Sequence, residues 1–99
     1  YLFNVRTTTA CAAFMAGDLL GEHWNLEEAV PVLLKLSKEA RFVAGRENAV
    51  HGLGHALNGL DEFDPLKLQI MSVLNDVSKS DRSRAVRESA TWVIQGKVF

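Results

Sequence analysis

The sequence predicts an all-α fold of about five antiparallel helices that stack as helical repeats. Three observations support this prediction: an internal repeat at an offset of 41 residues, apolar residues three and four positions apart, and short connections between the periodic segments. Residues 27–58 and 68–99 share nine identities in thirty-two aligned positions. The identical pairs are Val32 and Val73, Leu33 and Leu74, Ser37 and Ser78, Lys38 and Lys79, Arg41 and Arg82, Ala44 and Ala85, Arg46 and Arg87, Glu47 and Glu88, and Ala49 and Ala90.

The first two predicted helices cover about residues 3–20 and the segment that follows Asn25. Asn25 is a candidate N-cap, and Glu27 and Glu28 lie in the first turn, where carboxylates favour the helix dipole. Pro31 removes a backbone hydrogen bond, so we expect it to bend the second helix or shift its start. The predicted core stripe of the second helix is Leu26, Val30, Leu33 and Leu34, with Leu36 as a further candidate.

The third predicted helix covers about residues 45–60. Gly59 is its expected C-terminal stop. Gly52 and Gly54 weaken helix propensity and fit best where neighbouring helices approach closely. The predicted core residues are Ala49, Val50, Leu53, Ala56 and Leu57.

Two further helices complete the prediction. The fourth begins with Asp64 as N-cap and Pro65 at the first helical position, and the fifth begins near Asp81. Short connections favour antiparallel neighbours. The predicted core residues are Leu66, Ile70, Val73, Leu74 and Val77 in the fourth helix, and Ala85, Val86, Ala90, Val93 and Ile94 in the fifth.

Three segments share a Val-Arg-like start followed by small residues. They read Val5-Arg6-Thr7-Thr8-Thr9-Ala10-Cys11-Ala12-Ala13, Gly45-Arg46-Glu47-Asn48-Ala49-Val50-His51-Gly52-Leu53-Gly54 and Val86-Arg87-Glu88-Ser89-Ala90-Thr91-Trp92-Val93-Ile94. This pattern resembles the second helix of HEAT repeats, although Gly45 replaces the valine and no glycine follows Ile94. The resemblance implies a right-handed α-α superhelix. Residues 1–99 would then form one α-solenoid fragment, with a half repeat at about 1–22 and repeats at about 23–62 and 63–99. Because the chain begins with Tyr1 inside a half repeat, we expect a piece of a longer chain or a mature fragment.

The resemblance also implies a role for the repeated arginine. In HEAT repeats this arginine usually pairs with an acidic residue in or near the preceding turn and holds one repeat against the next. On that basis Asp81 would serve Arg87 or Arg84, and Glu39 would serve Arg46.

Composition narrows the classes of function. The formal net charge of −1 lacks the basic excess of nucleic-acid binders, so we do not expect nucleic acid as a partner. Residues 1–34 carry a net charge of −3 and residues 79–99 one of +3, which would suit head-to-tail stacking on similar repeats or an acidic partner at the basic end. Ordinary solvated helix faces are the alternative. Cys11 is the single cysteine, so no internal disulfide can form, and we expect a reducing, intracellular and cytoplasmic compartment. We expect no membrane span, because the sequence contains no sufficiently long apolar run.

His51 and His55 are four residues apart, the spacing at which two imidazoles can share a zinc ion. No acidic residue separates them, and His23 is expected in a turn. The HEAT-like iron enzyme deoxyhypusine hydroxylase uses His-Glu dipeptides, whereas Glu22 precedes His23 here. We therefore expect a half-exposed helix face with no metal and no cofactor. Catalytic carboxylate pairs, nucleophile motifs and phosphate-binding glycine loops are absent from the sequence.

The aligned repeats place Cys11, His51 and Trp92 at one variable position of the second helices. The resemblance implies that such positions line the concave side, where a groove would suit a peptide or a protein helix. Packing of Trp92 against a flanking repeat is the alternative. The predicted partner-binding residues are Glu47, Asn48, His51, His55, Glu88 and Trp92.

The expected function is a non-enzymatic scaffold or protein-interaction module. The alternative is an enzyme on the same scaffold, such as a bilin lyase or an alkylpurine DNA glycosylase. A glycosylase would need a basic groove with a central acidic residue, and the sequence offers neither convincingly. A bilin lyase stays open, because its helices resemble the same pattern.

Overall fold

The computed structural model describes residues 26–96, which form an all-α fold without a strand in that range. The first predicted helix, the half repeat and Asn25 lie outside the described residues. None of the helices within residues 26–96 combines the length and apolar content that crossing a bilayer requires. The helices are α1 (Leu26–Glu39), α2 (Val43–Asn58), α3 (Pro65–Ser80) and α4 (Arg84–Ile94).

The four helices form two hairpins that pack side by side. α1 packs on α2, and α3 packs on α4. Residues 40–42 connect the first pair and residues 81–83 the second, and connections this short make paired helices antiparallel. The hairpins meet mainly through α2 against α4 and also through α1 against α3. The helices therefore lie in two layers, with α1 and α3 in one and α2 and α4 in the other.

One apolar core joins the two hairpins. Its residues recur three and four positions apart on each helix, as the sequence predicts. Ala85 departs from the prediction and is exposed, because α4 buries the side that contains Val86 and successive residues turn by about 100°. Leu26, Leu57, Leu66, Val73 and Ile94 pack against the core and are partly buried. The core residues are Val30, Leu33, Leu34, Leu36, Ala40, Ala49, Val50, Leu53, Ala56, Ile70, Leu74, Val77, Val86, Ala90 and Val93.

Pro31 lies inside α1, and helical residues precede and follow it. The helix start is therefore not shifted beyond the proline, while the predicted bend stays a prediction. α2 begins and ends two residues earlier than predicted, at Val43 and Asn58. Gly59 ends α2 as expected, since its N–H donates to the carbonyl oxygen of Ala56 at 3.0 Å.

The start of α3 confirms the predicted cap. Oδ1 of Asp64 accepts a hydrogen bond from the backbone N–H of Leu66 at 2.9 Å, and Pro65 occupies the first helical position. The carboxylate thereby satisfies one of the N–H groups that a helix start leaves without a partner.

α4 begins three residues later than predicted, at Arg84. Asp81 has extended backbone angles, and its Oδ1 accepts a hydrogen bond from the backbone N–H of Ser83 at 2.8 Å. This bond stabilises a turn in place of a first helical turn, which is a common use of aspartate. The sequence alone did not show whether Asp81 begins the helix or forms a turn before it.

An ion pair links α1 to α3 on the surface. Nζ of Lys38 lies 2.6 Å from Oδ2 of Asp76. The hydrogen bond from Lys38, followed by its charge, lowers the pKa of Asp76 below the ordinary value of 3.8. A lowered pKa in the folded state stabilises the fold while Asp76 is ionised. This contribution is present above the pKa of the unfolded chain and is lost as pH falls through the folded-state pKa.

Lys38→Gln should raise the pKa of Asp76 toward its ordinary value, because the main hydrogen bond and charge are removed. A titration of the side-chain carboxyl ¹³C resonances by NMR measures the shift. Lys79→Gln is the matched control, since Lys79 acts on Asp76 by charge alone and more weakly. Equal pKa changes in the two variants would contradict the assigned pairing.

Candidate functional site

α2 and α4 position the predicted partner-binding residues, and these helices pack against each other. The residues on α2 are half-buried, whereas those on α4 are exposed. A spacing of four residues puts side chains on one side of a helix. Glu47, Asn48, His51 and His55 lie on α2, and Glu88 and Trp92 lie on α4.

The two histidines of α2 contact each other directly. Nε2 of His51 lies 2.9 Å from Nε2 of His55, and the ring centroids are 4.7 Å apart with the planes tilted by 31°. In a hydrogen bond between two neutral imidazoles, one Nε2 donates its proton and the other accepts it. The pair therefore places two potential metal-ligating nitrogens within hydrogen-bond distance of each other.

Trp92 is a large, exposed aromatic residue on α4, in the layer that α2 and α4 form (the second-helix layer). Its relative exposure is 48%, and it is not a member of the apolar core. An indole ring that is half accessible can bury further apolar area and donate its N–H when a partner binds. Packing of Trp92 against a flanking repeat, the alternative to partner binding, stays a prediction.

Glu88 is paired along its own helix. Nε of Arg84 donates to Oε1 of Glu88 at 2.9 Å. The predicted pairing of Arg84 with Asp81 is wrong, because Arg84 lies on the first turn of α4 and reaches the carboxylate four residues later. The pair is well exposed, so its contribution to stability is small.

The carboxylate of Asp81 pairs with Arg46 across the hairpins. Nε of Arg46 donates to Oδ2 at 2.9 Å and Nη2 donates to Oδ1 at 3.3 Å. Only 3% of the Arg46 side chain and 6% of the Asp81 side chain are exposed. Nη1 of Arg46 also donates to the carbonyl oxygens of Ala40 at 2.9 Å and Arg41 at 3.2 Å. Arg46 therefore closes the turn of its own hairpin and binds the next one, and the predicted pairing with Glu39 is wrong.

The repeated residues make repeated contacts. Nη1 of Arg87 donates to the carbonyl oxygen of Asp81 at 2.6 Å, as Nη1 of Arg46 does to Ala40, and both pairs are related by the offset of 41. Arg87 therefore contacts the predicted residue, Asp81, but the acceptor is the backbone carbonyl oxygen of Asp81 and not its carboxylate. The hydroxyls of Ser37 and Ser78 likewise each donate to the carbonyl oxygen three residues earlier, at 2.7 Å.

A cavity of about 110 Å³ lies where α1 and α3 end. Helix C-termini carry partial negative charge, which attracts cations. Arg46 and Lys38, which line the cavity, already pair with the carboxylates of Asp81 and Asp76. These ion pairs explain the positive charges at the cavity without a bound ligand. Its lining residues are Lys38, Arg46, Val77, Ser80, Asp81 and Arg82.

Within residues 26–96, no three histidine, cysteine or carboxylate side chains come close enough together to hold a metal ion. The expectation of a partly exposed histidine face agrees with the half-buried positions of His51 and His55. The spacing of these residues in the sequence predicted that they are neighbours, while the direct contact between the Nε2 atoms required the structure.

Comparison with known proteins found no match to this chain among protein-family models, curated proteins or solved structures. The assignment to HEAT repeats therefore depends on the sequence pattern. Membership of that family is a proposal, as is any function that it implies.

Proposed function

We propose that this chain is a HEAT-like α-solenoid module that binds a protein or peptide on its second-helix layer and has no catalytic activity. In this proposal the full chain has five helices in a right-handed superhelix. Its half repeat spans about residues 1–22, and its two repeats span about residues 23–62 and 63–99.

The repeated contacts support the architecture. Two hairpins that share nine aligned identities also share an arginine-to-turn hydrogen bond and a serine-to-carbonyl hydrogen bond at equivalent positions. Equivalent contacts at one fixed offset are expected when each repeat adopts the same local structure. Lateral packing of α2 on α4 agrees with that arrangement.

The half exposure of Trp92 is the observation that carries the binding role. Exposed aromatic residues are strong anchors in protein interfaces, since they bury a large area with few rotatable bonds. His51 occupies the equivalent position of the preceding repeat, and Glu47 and Glu88 each lie four residues earlier. A partner segment with an apolar residue for Trp92 and basic residues for the glutamates fits this layer.

Arg87 supports stacking on a further repeat. Arg46 uses one guanidinium nitrogen for its own turn and two for Asp81 of the next hairpin. Arg87 repeats the bond to its own turn, and within residues 26–96 no carboxylate pairs with its other nitrogens. A carboxylate from another repeat would complete the pattern.

Peptides selected from a displayed library against the wild-type chain provide the test of the binding face. Trp92→Ala should weaken their binding by about 30-fold or more, the loss expected for an interface anchor worth about 2 kcal/mol. His51→Ala should also weaken it. Fluorescence anisotropy measures each Kd, and circular dichroism verifies the fold.

Leu68→Ala is the matched control, because Leu68 is 60% exposed but lies on α3 in the other layer. Its Kd should stay at the wild-type value. Binders that are insensitive to both Trp92→Ala and His51→Ala, or loss of folding with Trp92→Ala, would refute the proposed face.

A further inference from the structure

We infer that His51 and His55 form a bidentate binding site for a divalent transition-metal ion that prefers imidazole, such as Cu²⁺, Ni²⁺ or Zn²⁺. The inference is independent of the proposed binding of a protein. It depends on the relative positions of two side chains on one helix, and partner binding or repeat stacking does not enter it.

The distance between the two nitrogens suits a shared metal. Nε2 of His51 and Nε2 of His55 are 2.9 Å apart. Imidazole nitrogens bind zinc at about 2.0–2.1 Å, so two of them at an angle of about 90° lie about 2.9 Å apart. A tetrahedral angle needs about 3.3 Å, which small rotations of the rings supply. A metal bound to both nitrogens would lie beside the line that joins them, about 1.5 Å from its midpoint.

The chemistry requires both rings to be neutral and to present the lone pair of Nε2. One ring already accepts through Nε2 in the histidine hydrogen bond, and the other moves its proton from Nε2 to Nδ1 when the metal replaces the bridging proton. No electron transfer is involved. A site with two imidazole nitrogens binds Cu²⁺ more tightly than Ni²⁺, and imidazole is also a common ligand of Zn²⁺.

α2 holds the pair in place. His51 and His55 are half-buried on consecutive turns of a sixteen-residue helix, and the buried residues Val50, Leu53 and Ala56 anchor the same turns in the core. A helix fixed by its core loses little freedom when the two rings bind a metal. Within residues 26–96 no third ligating side chain is close enough, so water or a group from outside that range would occupy the other coordination positions.

Zinc chloride and the wild-type chain provide the direct test. In a ¹⁵N NMR titration of the imidazoles, the Nε2 resonances of His51 and His55 should shift together and saturate at one zinc per chain. Absence of these shifts in excess zinc would overturn the inference. This measurement needs no variant, so it does not depend on whether a substituted chain folds.

Matched variants provide the second arm. His55→Gln should weaken zinc binding by about tenfold or more in a calorimetric titration, since loss of a ligand costs at least as much as loss of its supporting contacts. Two variants are the controls. His23→Gln has two histidines, as His55→Gln does, but keeps the pair of His51 and His55, and Cys11→Ser removes the single thiol. Both should bind zinc as the wild type does. Equal affinity of His55→Gln and the wild type, or equal losses in His55→Gln and His23→Gln, would contradict the site.

Discussion

Replacing Leu74 by alanine should lower the free energy of unfolding by about 2–5 kcal/mol. Leu74 is fully buried on α3 and belongs to the core that joins the two hairpins. The substitution removes apolar area and leaves a cavity, and closely packed neighbours fill such a cavity only in part. Equilibrium unfolding in guanidinium chloride, followed by circular dichroism, measures the change.

Leu68→Ala provides the control, because it makes the same change on the same helix at a side chain that is 60% exposed. We expect a change of less than about 0.5 kcal/mol. If the two leucine variants unfolded at the same denaturant concentration, the assigned buried side of α3 would be wrong.

Arg46→Met should also cost about 3–5 kcal/mol. The substitution keeps an aliphatic side chain of similar length but leaves the nearly buried carboxylate of Asp81 without its cation. It also removes a hydrogen-bond donor from the carbonyl oxygen of Ala40. The same denaturant titration measures the loss, and a double-mutant cycle with Asp81→Asn isolates the coupling between the two side chains.

Arg84→Met is the matched control for this prediction. Arg84 makes an ion pair of the same length with Glu88, but 83% of its side chain is exposed. Solvent screens such pairs, so the expected change is below about 1 kcal/mol. A similar loss of stability in both arginine variants would show that burial does not govern the role of Arg46.

The positions of the helices were largely predictable from local sequence patterns. The Asp64-Pro65 start of α3 and the Gly59 stop of α2 both agree with the structure, since caps act through atoms only a few residues apart. Asp81 was the exception. Its carboxylate accepts a turn-forming hydrogen bond from the backbone N–H of Ser83, which delays α4, and aspartate suits either a cap or a turn.

The candidate site was predictable in part. The spacing of His51 and His55 places them on consecutive turns, but rotamers determine that their Nε2 atoms meet. Trp92 could have been either a core or a surface residue on its sequence position alone. Its exposed fraction depends on what the neighbouring helices cover, which a single helix does not specify.

The sequence by itself determined the all-α class of residues 26–96, the apolar side of the four helices there and the repeat offset, because helix periodicity and capping are short-range properties. The packing of the hairpins determined which charges meet. Arg46 and Asp81 are thirty-five residues apart, and they pair because α2 packs beside the second hairpin and the end of α3 lies within reach of the guanidinium. The resemblance to HEAT repeats implied a carboxylate near the preceding turn, Glu39, but a buried arginine binds the acceptors that the fold brings to it.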